Sequence, residues 1–228
     1  MAEEKQEYAG GQAVIEGVMM MKGNRINTSV RKNGKIISKK KTIKGRSKFF
    51  KFLFIRGITN LYDMLKIGME SLIWSADQQA EKHEKITKKE VAVSLIGAFI
   101  FAILLFIALP FYLTRLVHVE DGFLFDLVDG VIRVIIFISY IYIISILKDI
   151  KTVFQYHGAE HKTVNCYETG KELTVKNVKK FSTLHPRCGT SFLIIILVIS
   201  VLVFTFITSD RWYYKVGFRI LLIPVIAS

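Results

Sequence analysis

VAVSLIGAFIFAILLFIALPFYL, Val91 to Leu113, contains no charged side chain. At ~1.5 Å per residue a helix of this length crosses a ~30 Å hydrocarbon core, so the stretch reads as a transmembrane helix. Two further apolar stretches follow. Phe123 to Leu147 carries Asp126, Asp129 and Arg133 in its first half and then VIIFISYIYIISIL, and it spans if those charges sit at one interface or face protein. Ser191 to Thr208, SFLIIILVISVLVFTFIT, is shorter and wholly apolar. After Arg219 a fourth, ILLIPVIAS, begins and reaches Ser228 with too few residues to cross, so we expect either a continuation of the chain or a segment that only dips into the bilayer. With 51% hydrophobic residues, three prolines and a mean hydropathy of +0.37, the composition excludes an ordinary soluble domain. The expected class is mainly α, a multi-pass helical membrane protein with a small cytoplasmic N-terminal β-hairpin element.

Charge orients the spans. The start, MAEEKQEYAG, has neither the basic start nor the apolar run of a secretory signal. No acidic residue occurs between Gly17 and Tyr62, where Lys22, Arg25, Arg31, Lys32, Lys35 and a run from Lys39 to Arg56 are basic. The first loop, near Glu120 and Asp121, is mildly acidic, and Lys148 to Arg187 is again rich in lysine. The bias places the N-terminus and the 148–190 loop in the cytoplasm, in a cell membrane with anionic lipids as partners. The net charge of +13 is thereby explained, and nucleic-acid binding is set aside. Cys166 and Cys188 both fall on the reducing side, where no structural disulfide is expected.

Three regions result. Residues 1–48 hold the β element: Asn33-Gly34 between two β-prone runs is type I′ hairpin chemistry, which sets Val30 opposite Ile37 and Ser29 opposite Ser38, and the element includes GGQAVIEGVMM upstream. Residues 49–90 hold an amphipathic helix, with Phe54, Ile58, Leu61, Leu65, Gly68 and Leu72 at three-to-four spacing, then a charged linker containing His83. Asn60, Asp63, Lys66 and Glu70 on that helix argue for an interfacial position. Residues 91–228 hold the spans, about 91–113, 123–147, 191–208 and the start of a fourth at 217–228, with the long loop 148–190.

That loop contains YHGAEHKTVNC. His157, Glu160 and His161 spell H-x-x-E-H, which on a helix puts two imidazoles on one face with a carboxylate beside them, the inverted zincin arrangement. A second polar knot, TLHPRCGT, carries His185 and Cys188 just before the third span. His157, His161, His185 and Cys188 would complete a closed tetrahedron for a divalent metal, zinc above all. If one of the four stands off, the site is open and Glu160 is the catalytic base. The alternative is that the histidines merely cap and hydrogen-bond at a membrane edge. Cys166, about 140° around the helix from His161, is left out. His118, in the predicted outer loop, is excluded as well. Glu16 is either a buried carboxylate paired with a metal, a histidine or Arg25, or a solvent-facing residue on a β-edge. Glu16 and Arg187 stand as supporting residues around the metal. Asp126, Asp129 and Arg133 share a helical face and predict an intrahelical ion pair.

GGQAVIEGVMM, RGITNLYDMLKIGMESLIWSA, YHGAEHKTVNCYE and LHPRCGTSFL, in this order over nearly the whole chain, resemble the YqhQ-like family of bacterial membrane proteins, a group of unknown function labelled a predicted metal-dependent enzyme. One departure is Lys22 after Met20-Met21, where the family more often has arginine directly after the methionine pair. The resemblance implies that His157 to His161 and His185 to Thr190 form one site, and that members are multi-pass proteins continuing beyond the end of this chain. Two functions are expected. One is a metal-dependent hydrolase acting on an unidentified substrate at the inner leaflet; the other is a non-catalytic scaffold or transport component with a structural metal clamp. A third reading, a membrane-tethered RNA binder, would need salt-sensitive binding through the basic N-terminal region.

Overall fold

The computed structural model describes residues 9–43, 53–80, 87–119 and 122–206. The fourth apolar segment, the Glu120-Asp121 loop, His83 and the basic residues from Lys44 to Lys51 lie outside the described residues. The chain divides into two compact units, Met1–Ile86 with Ser145–Pro186, and Thr87–Ile144 with Arg187–Ser228.

The first unit is built on a four-stranded antiparallel sheet in sequence order, β1 (Ala9–Val14), β2 (Gly17–Lys22), β3 (Arg25–Lys32) and β4 (Lys35–Thr42). Asn33 and Gly34 have φ of 49° and 76°, as a type I′ turn requires. The register pairs Val30 with Ile37 and Ser29 with Ser38, whose hydroxyls lie 2.8 Å apart. The expected hairpin is thus the second half of a larger meander. GGQAVIEGVMM supplies the other half, turning at Ile15-Glu16 with Glu16 at φ 53°.

Strand alternation gives the sheet two different faces. On one, Val14, Met19, Ile26 and Val30 form a core with Ile67 of α1 (Leu53–Gln79), flanked by Trp74. The helix meets the sheet through small residues. Gln12 Nε2 donates to Gly68 O (2.9 Å), Thr28 Oγ1 to Ser71 Oγ (3.2 Å) and the Ile15 amide to Ser75 Oγ (3.1 Å). The helix is amphipathic, yet Leu65 and Leu72 of its apolar stripe are 65% and 39% exposed. Gly68, Ser71 and Ser75 allow close approach and satisfy sheet polar groups, which bulkier residues on that face would prevent.

The opposite face is covered along β1 and β2 by α5 (Lys148–Glu168). The segment expected as a cytoplasmic loop is therefore helical for half its length, followed by a single turn, α6 (Val175–Val178).

In the second unit, Thr87 and Glu90 form a reciprocal capping box on α2 (Lys88–Ile103). A π-helical turn, Leu104–Ala108, leads into α3 (Leu109–Leu116), where the wider turn accommodates Pro110 and its missing amide. Lys89–Leu116 and α4 (Phe123–Ile146) are long and apolar enough to cross a membrane; α7 (Gly189–Phe206) has a shorter apolar part, Gly189–Ile199. Arg133 pairs with Asp129 at 2.8 Å, the expected intrahelical ion pair. Gly130 admits the side chain of Val201 from α7.

Gly17 tests the sheet. A Cβ there would collide with the Ser29 carbonyl and the Val30 backbone, whereas at Gly10 nothing lies within 4 Å. Gly17→Ala is expected to cost about 1–3 kcal/mol, read as a lower melting temperature, with Gly10→Ala nearly silent.

Candidate metal centre

At ~100° per residue, α5 turns Tyr156, Glu160, Thr163 and Tyr167 toward the sheet, with His157, His161 and Glu168 a quarter to a third of a turn round. The side chain of Glu160 is buried because β1 carries glycine opposite it: a Cβ on Gly11 would lie 3.1 Å from Glu160 Cγ. Its Oε2 stands 3.9 Å from His157 Nε2 and 3.8 Å from His161 Nε2. The two imidazoles pack at 4.4 Å between ring centroids, with an interplanar angle of 63°. Their candidate ligand atoms fall within 4.8 Å of each other.

After α6 the chain runs back along α5 and is fastened to it. Lys162 Nζ donates to Lys179 O (3.2 Å), and Asn165 Nδ2 donates to both Ser182 O (3.0 Å) and Leu184 O (3.1 Å). Gly158 leaves room for Thr183, whose Cγ2 would be 3.2 Å from a Cβ there. The return brings buried His185 to 5.9 Å from His161 between centroids, with Nε2 3.4 Å from Glu168 Oε2.

One hydrogen bond decides the chemistry of His161. Its Nδ1 lies 2.6 Å from Thr183 O, and a carbonyl only accepts, so Nδ1 carries the proton. In the neutral ring, Nε2 then presents its lone pair toward Glu160. Wherever Glu160 is ionised, two acceptors then stand 3.8 Å apart in a buried place, an arrangement that a cation between them would stabilise. Burial raises the Glu160 carboxyl above the ordinary 4.5, with His161 and His185 pulling it partly back. Burial, then His161, lowers His157 below its ordinary 6.5.

Within the first unit, His157, Glu160, His161 and His185 come together. Glu16 is half-buried, and its Oε2 accepts from Tyr156 Oη at 3.3 Å, so its described partner is a tyrosine rather than a histidine or Arg25. Burial, then Glu16, raises the Tyr156 phenol above its usual value. Cys188 belongs to the second unit, buried, with Sγ 2.9 Å from Thr190 Oγ1; Arg187 of that unit is exposed. Cys166 turns its thiol to the carbonyls of Lys171 (3.9 Å) and Glu172 (3.7 Å). His118 lies in the second unit at φ 56°. Sequence reasoning missed Gly11, Tyr156, Asn165, Glu168 and Thr183. Only Asn165 and Glu168 left a signal, because they continue the histidine face of α5 at helical spacing.

The family Protein of unknown function (DUF1385) matches residues 52–228. The chain belongs to this family. It is 32% identical over 241 aligned positions to the Uncharacterized protein YqhQ of Bacillus subtilis (strain 168), covering 95% of this chain and 74% of that protein. No solved structure matches. The described sheet, residues 9–43, precedes the part matched to the family.

Two outcomes test this geometry. The folded protein keeps a proton on Glu160 at pH values where the unfolded chain has released it, so this contribution to stability is full below 4.5 and is lost as pH rises through the raised value. In chelator, Glu160→Gln is therefore expected to melt above wild type at pH above the raised value, with the difference closing as pH falls toward 4.5. Asn165→Ala is expected to cost about 1–3 kcal/mol by releasing the 179–185 return, read as faster amide exchange at Thr183 to His185.

Proposed function

We propose that this chain is a multi-pass integral membrane protein, N-terminus in the cytoplasm, and that it holds a divalent metal of zinc type at the cytoplasmic membrane edge as a metal-dependent hydrolase. The observation that carries the metal reading is the Thr183 hydrogen bond, which leaves His161 Nε2 as a lone-pair donor beside the buried Glu160. Carbonyl acceptors on the far nitrogen are how proteins orient metal-binding histidines. His157 and His161 would be two ligands, with His185 the third.

Support for the membrane reading comes from the second unit. Phe99 and Tyr142 are each 68% exposed and Ile143 61%, on helices that carry almost no buried apolar side chains. Water would penalise such a surface, whereas lipid would not. Lysine and arginine bias supports the orientation.

A bound metal would polarise a carbonyl or phosphoryl oxygen and acidify water. The chain's own residues do the rest. Glu160, its carboxyl raised above the ordinary range by burial, takes the proton from the attacking water and returns it to the leaving group. Thr183 holds His161 in one tautomer, and Glu168 orients His185.

A second reading, a structural clamp, is favoured by the lacing of residues 179–185 onto α5, since His185 sits on that return and a metal would tighten it. Elemental analysis of protein purified without chelator tests both. About one zinc per chain is expected, lost in His161→Ala and in His185→Ala, while Glu160→Gln keeps the metal and loses turnover. Absence of stoichiometric metal overturns the proposal. X-ray absorption then separates the readings: three protein donors plus an oxygen fits the hydrolase, four protein donors fits the clamp.

A further inference from the structure

Among the described residues, the face of the sheet that α5 covers is only half filled. α5 lies along β1 and β2, and beside it a cleft of ≈ 500 Å³ opens between Tyr167 and Leu173 on one side and the bare face of β2, β3 and β4 on the other. Strand register arranges its floor in two rows. Lys22, Arg25 and Thr42 stand across the strands in one row, and Met20, Asn27 and Lys40 in the next. Three cations thus share one face of the sheet. Lys22 and Arg25 are directly paired across β2 and β3, a like-charge placement that disfavours the sheet and that the fold does not require. No carboxylate lines the cleft among the described residues. Lys41, which also borders it, pairs with Glu70 of α1. The Lys22 ammonium sits 5.1 Å above the Tyr167 ring, which holds it at the boundary between charged floor and apolar wall. The wall itself is Met20, Tyr167 and Leu173, the last 53% exposed.

Cations that converge on one end of an apolar cleft fit a molecule with the same division of character. We propose that this cleft binds a phosphate-headed amphiphile, its phosphate on Lys22, Arg25 and Lys40 and its apolar chain against Met20, Tyr167 and Leu173. A phosphate carries more charge and more acceptor oxygens than a carboxylate and so engages three cations better. The cleft shares α5 with the histidine cluster, but none of His157, Glu160, His161 or His185 lines it, so the proposal stands independently of any metal.

The test is calorimetric titration of the full chain in zwitterionic detergent with EDTA, corrected for partition into empty micelles. The probes are dihexanoyl phosphatidic acid, dihexanoyl phosphatidylcholine and inorganic phosphate. Phosphatidic acid is expected to bind at least about tenfold more tightly than either of the others. Arg25→Gln/Lys40→Gln is expected to weaken it about tenfold or more and to flatten its salt dependence; Leu173→Asn weakens it through the apolar wall, and His161→Ala leaves it unchanged. Because Arg25 and Lys40 are exposed, their loss is expected to leave the melting temperature in place. Phosphatidylcholine carries its phosphate as a choline diester, so equal affinity for the two lipids overturns the engagement of a terminal phosphate by three cations. Inorganic phosphate binding as tightly as phosphatidic acid overturns the amphiphile. Binding that survives Arg25→Gln/Lys40→Gln but fails in His161→Ala places the ligand at the histidine cluster and overturns the cleft.

Discussion

Gly11 has no side chain, and β1 can therefore accept α5 so closely that a Cβ there would stand 3.1 Å from Glu160 Cγ. That close approach organises the first unit. It buries a carboxylate between a sheet and two imidazoles, sets Tyr156 where its hydroxyl meets Glu16 at the β1–β2 turn, and presents the rest of the helix to the returning 179–185 segment. A methyl group at position 11 would meet the Met19 carbonyl first, at 2.4 Å, and crowd Glu160 Cγ as well, at 3.1 Å.

The energetic character of the cluster follows from what is buried. Burying a carboxylate costs free energy unless a proton or another cation is shared with its neighbours. The sheet and α1 carry that cost on the opposite face, where Val14, Met19, Ile26, Val30 and Ile67 pack and where the hydroxyls of Ser71 and Ser75 satisfy sheet polar groups. The strained cluster is thus backed by a well-packed face on the other side of the sheet.

The two units differ in what they bury. In the first, a hydrophobic core is packed between α1 and the sheet. In the second, apolar side chains point outward, while the buried positions of α4 include Asp126, Asp129 and Gly130. Arg133 on Asp129, and the Arg115 guanidinium over Phe111 and Phe125, keep charge within protein contacts. On the membrane reading proposed above, a bilayer would favour such a surface.

Features set by neighbouring residues were legible in the sequence. Asn33-Gly34 determined a type I′ turn and with it the Val30–Ile37 register; the uncharged run from Val91 determined a long helix; Asp129 and Arg133, four apart, determined an ion pair; and His157 and His161 shared a face at the same spacing. Other features required the chain to return on itself. Thr183 lies 22 residues from His161, and Glu16 lies 140 from Tyr156, separations at which no periodicity or turn signal operates. Only the tertiary structure decided that His185 approaches His161, that α1 turns its small residues rather than its leucines to the sheet, and that half of one sheet face stays open beside α5. The physical reason is that backbone propensity acts within a few residues, whereas those meetings depend on which surfaces fit closely enough to repay the entropy of closing a long loop.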